Sequence, residues 1–249
     1  MNVVSALEES CDVYFYKVGE KLGVERLAWY ASASGLGQPT GLGLSCEADG
    51  LVPTAAWKQR RTGRPWVGGE TLSLAIGQGY NLVTPLQLAM LTAAVANGGT
   101  VYRPLLAESV EQADHGRVLR RFDPEVLKTL PVSEANLAVI RRGLCKVVNG
   151  SRGTATIAAL PGVKVCGKTG TAQVVGRRSG AGAAGKEAEK REHLPHAWFV
   201  AYAPAKDPKI AVVVLVEHGE HGSSTASPIA RDLIVHFLGI DREPAGEEG

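Results

Sequence analysis

No run of about 18 or more apolar residues occurs in this 249-residue chain, so no internal segment predicts a membrane-spanning helix. No leader of basic and then apolar residues opens it, so no secretory signal pattern is visible. Neither charge sign dominates: 27 Lys and Arg stand against 25 Asp and Glu, a net charge of +2. That balance points to no nucleic acid and to no acidic partner. Cysteine is sparse, and the four present, Cys11, Cys46, Cys145 and Cys166, lack paired zinc spacing. Cys145 and Cys166 lie in apolar stretches, which predicts two buried thiols. The histidines, at positions 115, 193, 196, 218, 221 and 236, form no metal-ligand spacing. His218 and His221 sit three apart after a predicted strand, and no matching third ligand accompanies them. What remains is enough chain for one ordinary domain, 45% hydrophobic.

The most informative stretch is Lys168-Thr169-Gly170-Thr171, at the end of the apolar run Val163-Lys164-Val165-Cys166-Gly167. An edge strand of a sheet would carry it. A cation beside a hydroxyl can hold a carboxylate by charge-assisted hydrogen bonds. A glycine lets a substrate backbone lie close to the strand. A backbone N–H just beyond can donate to a developing oxyanion. Strands ending in Lys-[Thr/Ser]-Gly form one wall of the active site in serine enzymes that attack acyl-D-alanine peptides and β-lactams. A chance Lys-Thr-Gly arises in roughly one chain in twenty of this length, so the weight falls on what accompanies it.

Ser10-Cys11-Asp12 accompanies it, at a predicted junction between a helix over 3–9 and a second over 13–22 that Gly23 stops. Such a triplet fits the Ser-x-Asn-like element of the same enzymes, with Asp in place of Asn. The plain alternative is that Ser10 or Asp12 caps the second helix. The order of the two motifs, this one early and Lys-Thr-Gly late, favours the site reading.

Elsewhere, Thr84-Pro85-Leu86-Gln87 is a capping box opening a helix that stops at Asn97-Gly98-Gly99. Residues 102–110 read as extended, with 115–121 completing a hairpin. A helix is predicted over 133–148, the motif strand over 163–174, and two more strands over 197–203 and 210–217. A last helix starts at Ser227-Pro228 and ends at Gly239. The sum is an α/β (α+β) architecture, an antiparallel sheet flanked by helices. Residues 177–192, rich in Gly, Ala, Lys and Glu, predict a mobile loop over the cleft. Trp57, Trp66 and Trp198 read as packing or groove-lining residues.

Together the blocks resemble the transpeptidase domain of class B penicillin-binding proteins, most of all the penicillin-binding protein 2 branch of the rod-elongation system. The likeness is carried by Ser10 to Tyr16, Thr40-Gly41-Leu42, Pro53-Thr54 with Trp57-Lys58, Ala75-Ile76-Gly77-Gln78-Gly79-Tyr80 with Thr84-Pro85, Lys168 to Gln173, and His196-Ala197-Trp198-Phe199. These span nearly the whole chain. The resemblance implies a penicillin-binding transpeptidase and serine β-lactamase-like fold. It implies cross-linking of peptidoglycan stem peptides through an acyl-serine, with β-lactams acylating the same serine in the intact protein. Ser10, Asp12 and Lys168 would be catalytic, and Thr169, Gly170 and Thr171 would bind substrate. No cofactor is required. The expected partner is a membrane glycan polymerase, and the expected location is the periplasmic face of a bacterial inner membrane, through an anchor not in this chain. The alternatives are a D,D-carboxypeptidase, a β-lactam sensor domain, or an inactive peptide-binding fragment.

One departure is decisive. The family's nucleophile stands in a Ser-x-x-Lys motif before the Ser-x-Asn-like element, and no serine here has Lys three residues on. Residues 1–240 are therefore expected to be the carboxy-terminal part of the domain, lacking that segment and inactive without it, and 241–249 a disordered tail. Some relatives hold a structural zinc beside the second motif through Asp and His of the preceding segment. Without that segment no zinc is expected, and Cys11 would be its remnant.

Overall fold

The three strands nearest the carboxy terminus, β5 (Cys166–Ala172), β6 (His196–Ala203) and β7 (Ile210–Val216), pair antiparallel in that order. This computed structural model describes residues 1–113, 116–174 and 193–240. Strand alternation divides the sheet's two faces. Phe199, Ala201 and Ala203 of β6 join Val212 and Val214 of β7 under the last helix, α7 (Ser227–Leu238), which contributes Ala230 and Ile234. Tyr202, wholly buried, faces the other way and packs with Cys166 and with Ala96 of α5 (Pro85–Ala96). The helix α6 (Glu134–Asn149) lies on that same side, against β5. Helices thus cover both faces of an antiparallel sheet, the architecture expected. Two small antiparallel pairs complete the strands: β1 (Thr100–Tyr102) with β4 (Val126–Thr129), and β2 (Ser109–Glu111) with β3 (Val118–Arg121).

Local chemistry explains the helix ends. Thr84 and Gln87 bond each other's backbone N–H at the start of α5, with Pro85 in the first turn. Gln87 is nearly sealed from water, and its Nε2 donates to Gln38 O and Asp49 O at 2.8 Å each. Ser133 caps α6 through Asn136 N.

Two expectations are corrected, and three helical segments are added to the sequence reading. Gly23 (φ 72°, ψ 164°) does stop the helix that opens at Asp12, and α2 (Asp12–Ala33) is two helical segments joined there, the second of them unassigned from the sequence. Good helix formers resume on the far side, among them Glu25, Arg26, Leu27 and Ala28. The motif strand is shorter than 163–174, because Val163 is spent in an isolated bridge to Leu160. Two helices escaped the sequence reading, α3 (Ala55–Thr62) and α4 (Gly68–Ala75). Finally, Cys145 and Cys166 are not thiols but a disulfide that ties α6 to β5. Apolar flanks predict burial equally well for a thiol and for a disulfide; only the packing of α6 on β5 brings this pair together. The predicted loop 177–192 and tail 241–249 lie outside the described residues.

Candidate active site

The first helix, α1 (Val3–Glu8), is clamped onto α6. Leu7 fills the space left by Gly143, where a Cβ would stand 2.5 Å from Leu7 Cδ1. Glu8, only 5% exposed, accepts from Arg152 N at 3.4 Å, and Glu9 pairs with the Arg152 guanidinium at 3.0 Å. The chain then turns through Ser10, which takes the left-handed region (φ 51°) that disfavours any side chain. Cys11 is the residue before α2, and it makes no side-chain cap. Ser10 is therefore not a cap, and Asp12 stands in the first turn of α2, where a helix dipole favours an anion.

β5 meets this turn from the other direction. Cys166 and Lys168 share a strand face, and Cys166 is bonded to α6. Asn149, the last residue of α6, also donates to Val165 O at 2.7 Å, at the entry to β5. The Lys168 side chain then reaches back to Ser10 and donates to its hydroxyl. The same Nζ donates to Thr169 O at 3.0 Å, with Thr169 Oγ1 at 3.4 Å. Burial pushes the Lys168 ammonium down to about 8, and the Asp12 carboxylate partly opposes that fall. An amine poised there exchanges protons readily near neutral pH.

The other strand residues separate by role. Thr169 is half-buried, its hydroxyl 3.2 Å from that of Thr154. Thr171 is exposed on the open edge of the sheet. Gly170 was expected to leave room for a substrate; a Cβ there would stand 3.1 Å from Trp198 Cβ. From behind, Gly222 lies so close that its own Cβ would come within 2.7 Å of Gly170 O. A side chain at 170 would have to push Trp198 aside by a few tenths of an ångström.

Sequence reasoning assigned no role to Gln78, yet its Nε2 donates to Thr171 O at 2.7 Å and its Oε1 accepts from Gln173 N at 3.4 Å. The signal was the Gly77-Gln78-Gly79 triplet, whose glycines both adopt positive φ, 78° and 79°. Arg152 and Thr154 carried no signal. Nearby, Trp57 and Trp66 set their rings against Tyr80, 5.3 and 6.4 Å between centroids. Lys58, in the Trp57-Lys58 block, is buried in an ion pair with Glu70 at 2.5 Å and donates to Pro65 O at 2.8 Å. Burial raises the Glu70 carboxyl, but the Lys58 ammonium and the Val67 N–H outweigh it and hold it below the usual range. This lysine braces α3 and α4. His196 and His218 pack ring on ring, and His196 Nδ1 accepts from His218 N at 3.0 Å. Among the described residues no cluster of three or more His, Cys, Asp or Glu could hold a metal. No described helix is long and apolar enough to cross a membrane.

Comparison with known proteins agrees with this geometry. The penicillin binding protein transpeptidase domain model matches residues 1–235. The chain is 40% identical over 240 residues to the peptidoglycan D,D-transpeptidase MrdA of Haemophilus influenzae, covering 94% of this chain and 36% of that protein. It thus spans about a third of the length of such relatives. Among solved structures, Pseudomonas aeruginosa PBP2 in complex with WCK 5153 superposes with a TM-score of 0.78 at 38% identity, over 97% of this chain and 48% of that one. A chain from a peptidoglycan synthase complex that coordinates polymerization and crosslinking gives a TM-score of 0.81 at 36% identity, over 99% and 39%.

Proposed function

The chain belongs to the penicillin-binding protein transpeptidase family, and we propose that it is part of a peptidoglycan D,D-transpeptidase whose nucleophile lies outside these residues. The observation that carries the reading is the Lys168–Ser10 contact beside the open edge of β5. It joins a proton-exchanging amine, a hydroxyl and a free strand edge at one place.

The chemistry follows from the groups. A serine Oγ, giving its proton to the lysine three residues on, attacks the carbonyl carbon between the two terminal D-alanines, and the carbon–nitrogen bond breaks. The leaving D-alanine needs a proton, and Ser10 passes one to it, recharged by Lys168. Asp12 orients this network and supports the positive charge on Lys168. Thr169 and Thr171 hold the substrate carboxylate, and the Thr171 N–H donates to the oxyanion. Gly170 keeps the strand straight against Trp198 and Gly222. The amine of a neighbouring stem peptide then attacks the ester and returns a proton through Ser10 to Lys168, and the serine recovers its own from the lysine that took it. No serine here precedes a lysine by three, so these 249 residues alone lack the attacking pair and are inactive.

The likeness to a chain of a synthase complex supports a glycan polymerase as partner. That pairing, and the peptidoglycan named for the relatives, support a site on the periplasmic face of the inner membrane. The test uses the polypeptide carrying an upstream Ser-x-x-Lys. Supplied with a donor pentapeptide and an acceptor amine, it releases D-alanine and forms the cross-linked amide. Release to water alone would move the reading to a carboxypeptidase. Acylation by penicillin with no peptide turnover would move it to a sensor.

A further inference from the structure

The edge of β5, free of any neighbouring strand among the described residues, is met by a side chain. Along an edge strand, alternate residues turn their backbone N–H and C=O outward. Here those residues are Thr169, Thr171 and Gln173, and the Gln78 carboxamide bonds two of the outward groups, Thr171 O and Gln173 N. One side chain thus donates and accepts where an added strand would place its own N–H and C=O. The carboxamide is a peptide group on a tether. Its anchor is firm. Gln78 N donates to Ser73 O at 2.9 Å and Gly77 N to Leu74 O at 3.0 Å, which fixes the loop to the end of α4. The flanking glycines, both at positive φ, let the chain turn sharply enough to aim the side chain at β5. The bonds at the far end are exposed to water and involve no charge, so they exchange at small net cost.

We propose that Gln78 is a displaceable stand-in for substrate backbone: it occupies the β5 edge at rest, and an extended peptide must exchange with it to bind. This rests, for the identity of the ligand, on the peptide-binding reading above. Gln78 is a positioning residue and touches no reacting atom. It keeps the edge from pairing with an unrelated strand, a hazard of any exposed edge. It also makes every ligand forfeit two hydrogen bonds before gaining its own, which penalises ligands too short to replace both.

The experiment is an NMR titration of the isotope-labelled chain with diacetyl-Lys-D-Ala-D-Ala, on the wild type, Gln78→Ala and Gln78→Met. Methionine keeps the length of the side chain without its amide, which guards against a collapse specific to alanine. The expected result has two parts. The Gln78 carboxamide signals shift on saturation, and both variants bind the peptide roughly three- to tenfold more tightly, the worth of about one net hydrogen bond. Unmoved Gln78 signals at saturation, or variants that bind no more tightly, overturn the proposal while leaving the peptide-binding reading intact. An all-L tripeptide that binds as well as the D-peptide, and displaces Gln78, removes the D,D reading and leaves the stand-in standing. Failure of every protein to bind either peptide overturns both.

Discussion

The Lys168 side chain donates to the Ser10 hydroxyl across 158 residues of sequence. Neither residue is placed by its own neighbours. Ser10 is carried by α1, which rests on α6 through Leu7 and Gly143. Lys168 is carried by β5, which is bonded to the same helix through Cys166. The helix α6 is therefore the common reference for both halves of the pair, though it supplies neither reacting group.

Ser10 combines an awkward backbone with a needed side chain. Ser10→Ala removes the acceptor of a half-buried amine and is expected to cost about 1–3 kcal/mol. Ser10→Gly loses the same bond but relieves the positive φ, so it should be roughly 1 kcal/mol more stable than Ser10→Ala. Urea unfolding of the three proteins gives the order wild type, glycine, alanine. Alanine at least as stable as glycine would show that the turn is not strained.

Lys168 should titrate at about 8 in the folded chain, against an ordinary 10.5. Between those values the unfolded chain binds the extra proton, so stability rises with pH through that window. Tyr202, pushed up to about 12 mainly by burial, adds the opposite slope above about pH 10, so the measurement belongs between about pH 7.5 and 9.5. The rise seen in wild type should be missing in Lys168→Met. Asp12→Asn removes the charge that supports the ammonium and should move the Lys168 midpoint lower still, as followed by NMR at Nζ.

Gly143 is needed for the seat of α1. Gly143→Ala sets a methyl against Leu7 and is expected to destabilise by about 1–3 kcal/mol. Trimming the neighbour as well, in Gly143→Ala with Leu7→Ala, should recover part of the loss attributable to the clash. A double-mutant cycle with a coupling energy near zero would contradict the contact.

The disulfide closes a loop with a sequence separation of 21 between Cys145 and Cys166. Loop closure of that size is worth about 3 kcal/mol. Reduction, or Cys145→Ser with Cys166→Ser, should lower the unfolding free energy by about that amount. It should also shift the Lys168 midpoint, since the strand face bearing Lys168 loses its tie to α6. An unchanged midpoint would confine the disulfide to stability.

Much of this was legible because it is local or repetitive. Thr84 to Gln87 announces its own helix cap, and the aliphatic runs around Phe199 and Val213 announce strands. Ser10 and Lys168 were legible as motif residues, and the sheet and helices bring their side chains into contact. What escaped the sequence is tertiary. No spacing pairs Cys145 with Cys166; the pair exists because α6 lies on β5. Gln78 looked like a loop residue between two glycines, and its partners lie more than 90 residues on. Gly170 was legible as a motif glycine, but the close approach of Trp198 and Gly222 to it was not. Gly23 was legible as a stop, but the second helical segment that follows it to Ala33 was not.

If Ser10 relays a proton and does not attack, the 249-residue chain takes up no penicillin. The attacking group needs a base beside it, and misplacement by about 1 Å already costs roughly 100-fold. The direct measurement is the intact mass of the purified chain after incubation with fluorescent penicillin. The expected result is an unchanged mass, with a single adduct appearing only in a longer polypeptide that carries Ser-x-x-Lys upstream. A stoichiometric adduct on the chain itself, lost in Ser10→Ala, would contradict both the role given to Ser10 and the placement of the nucleophile outside these residues.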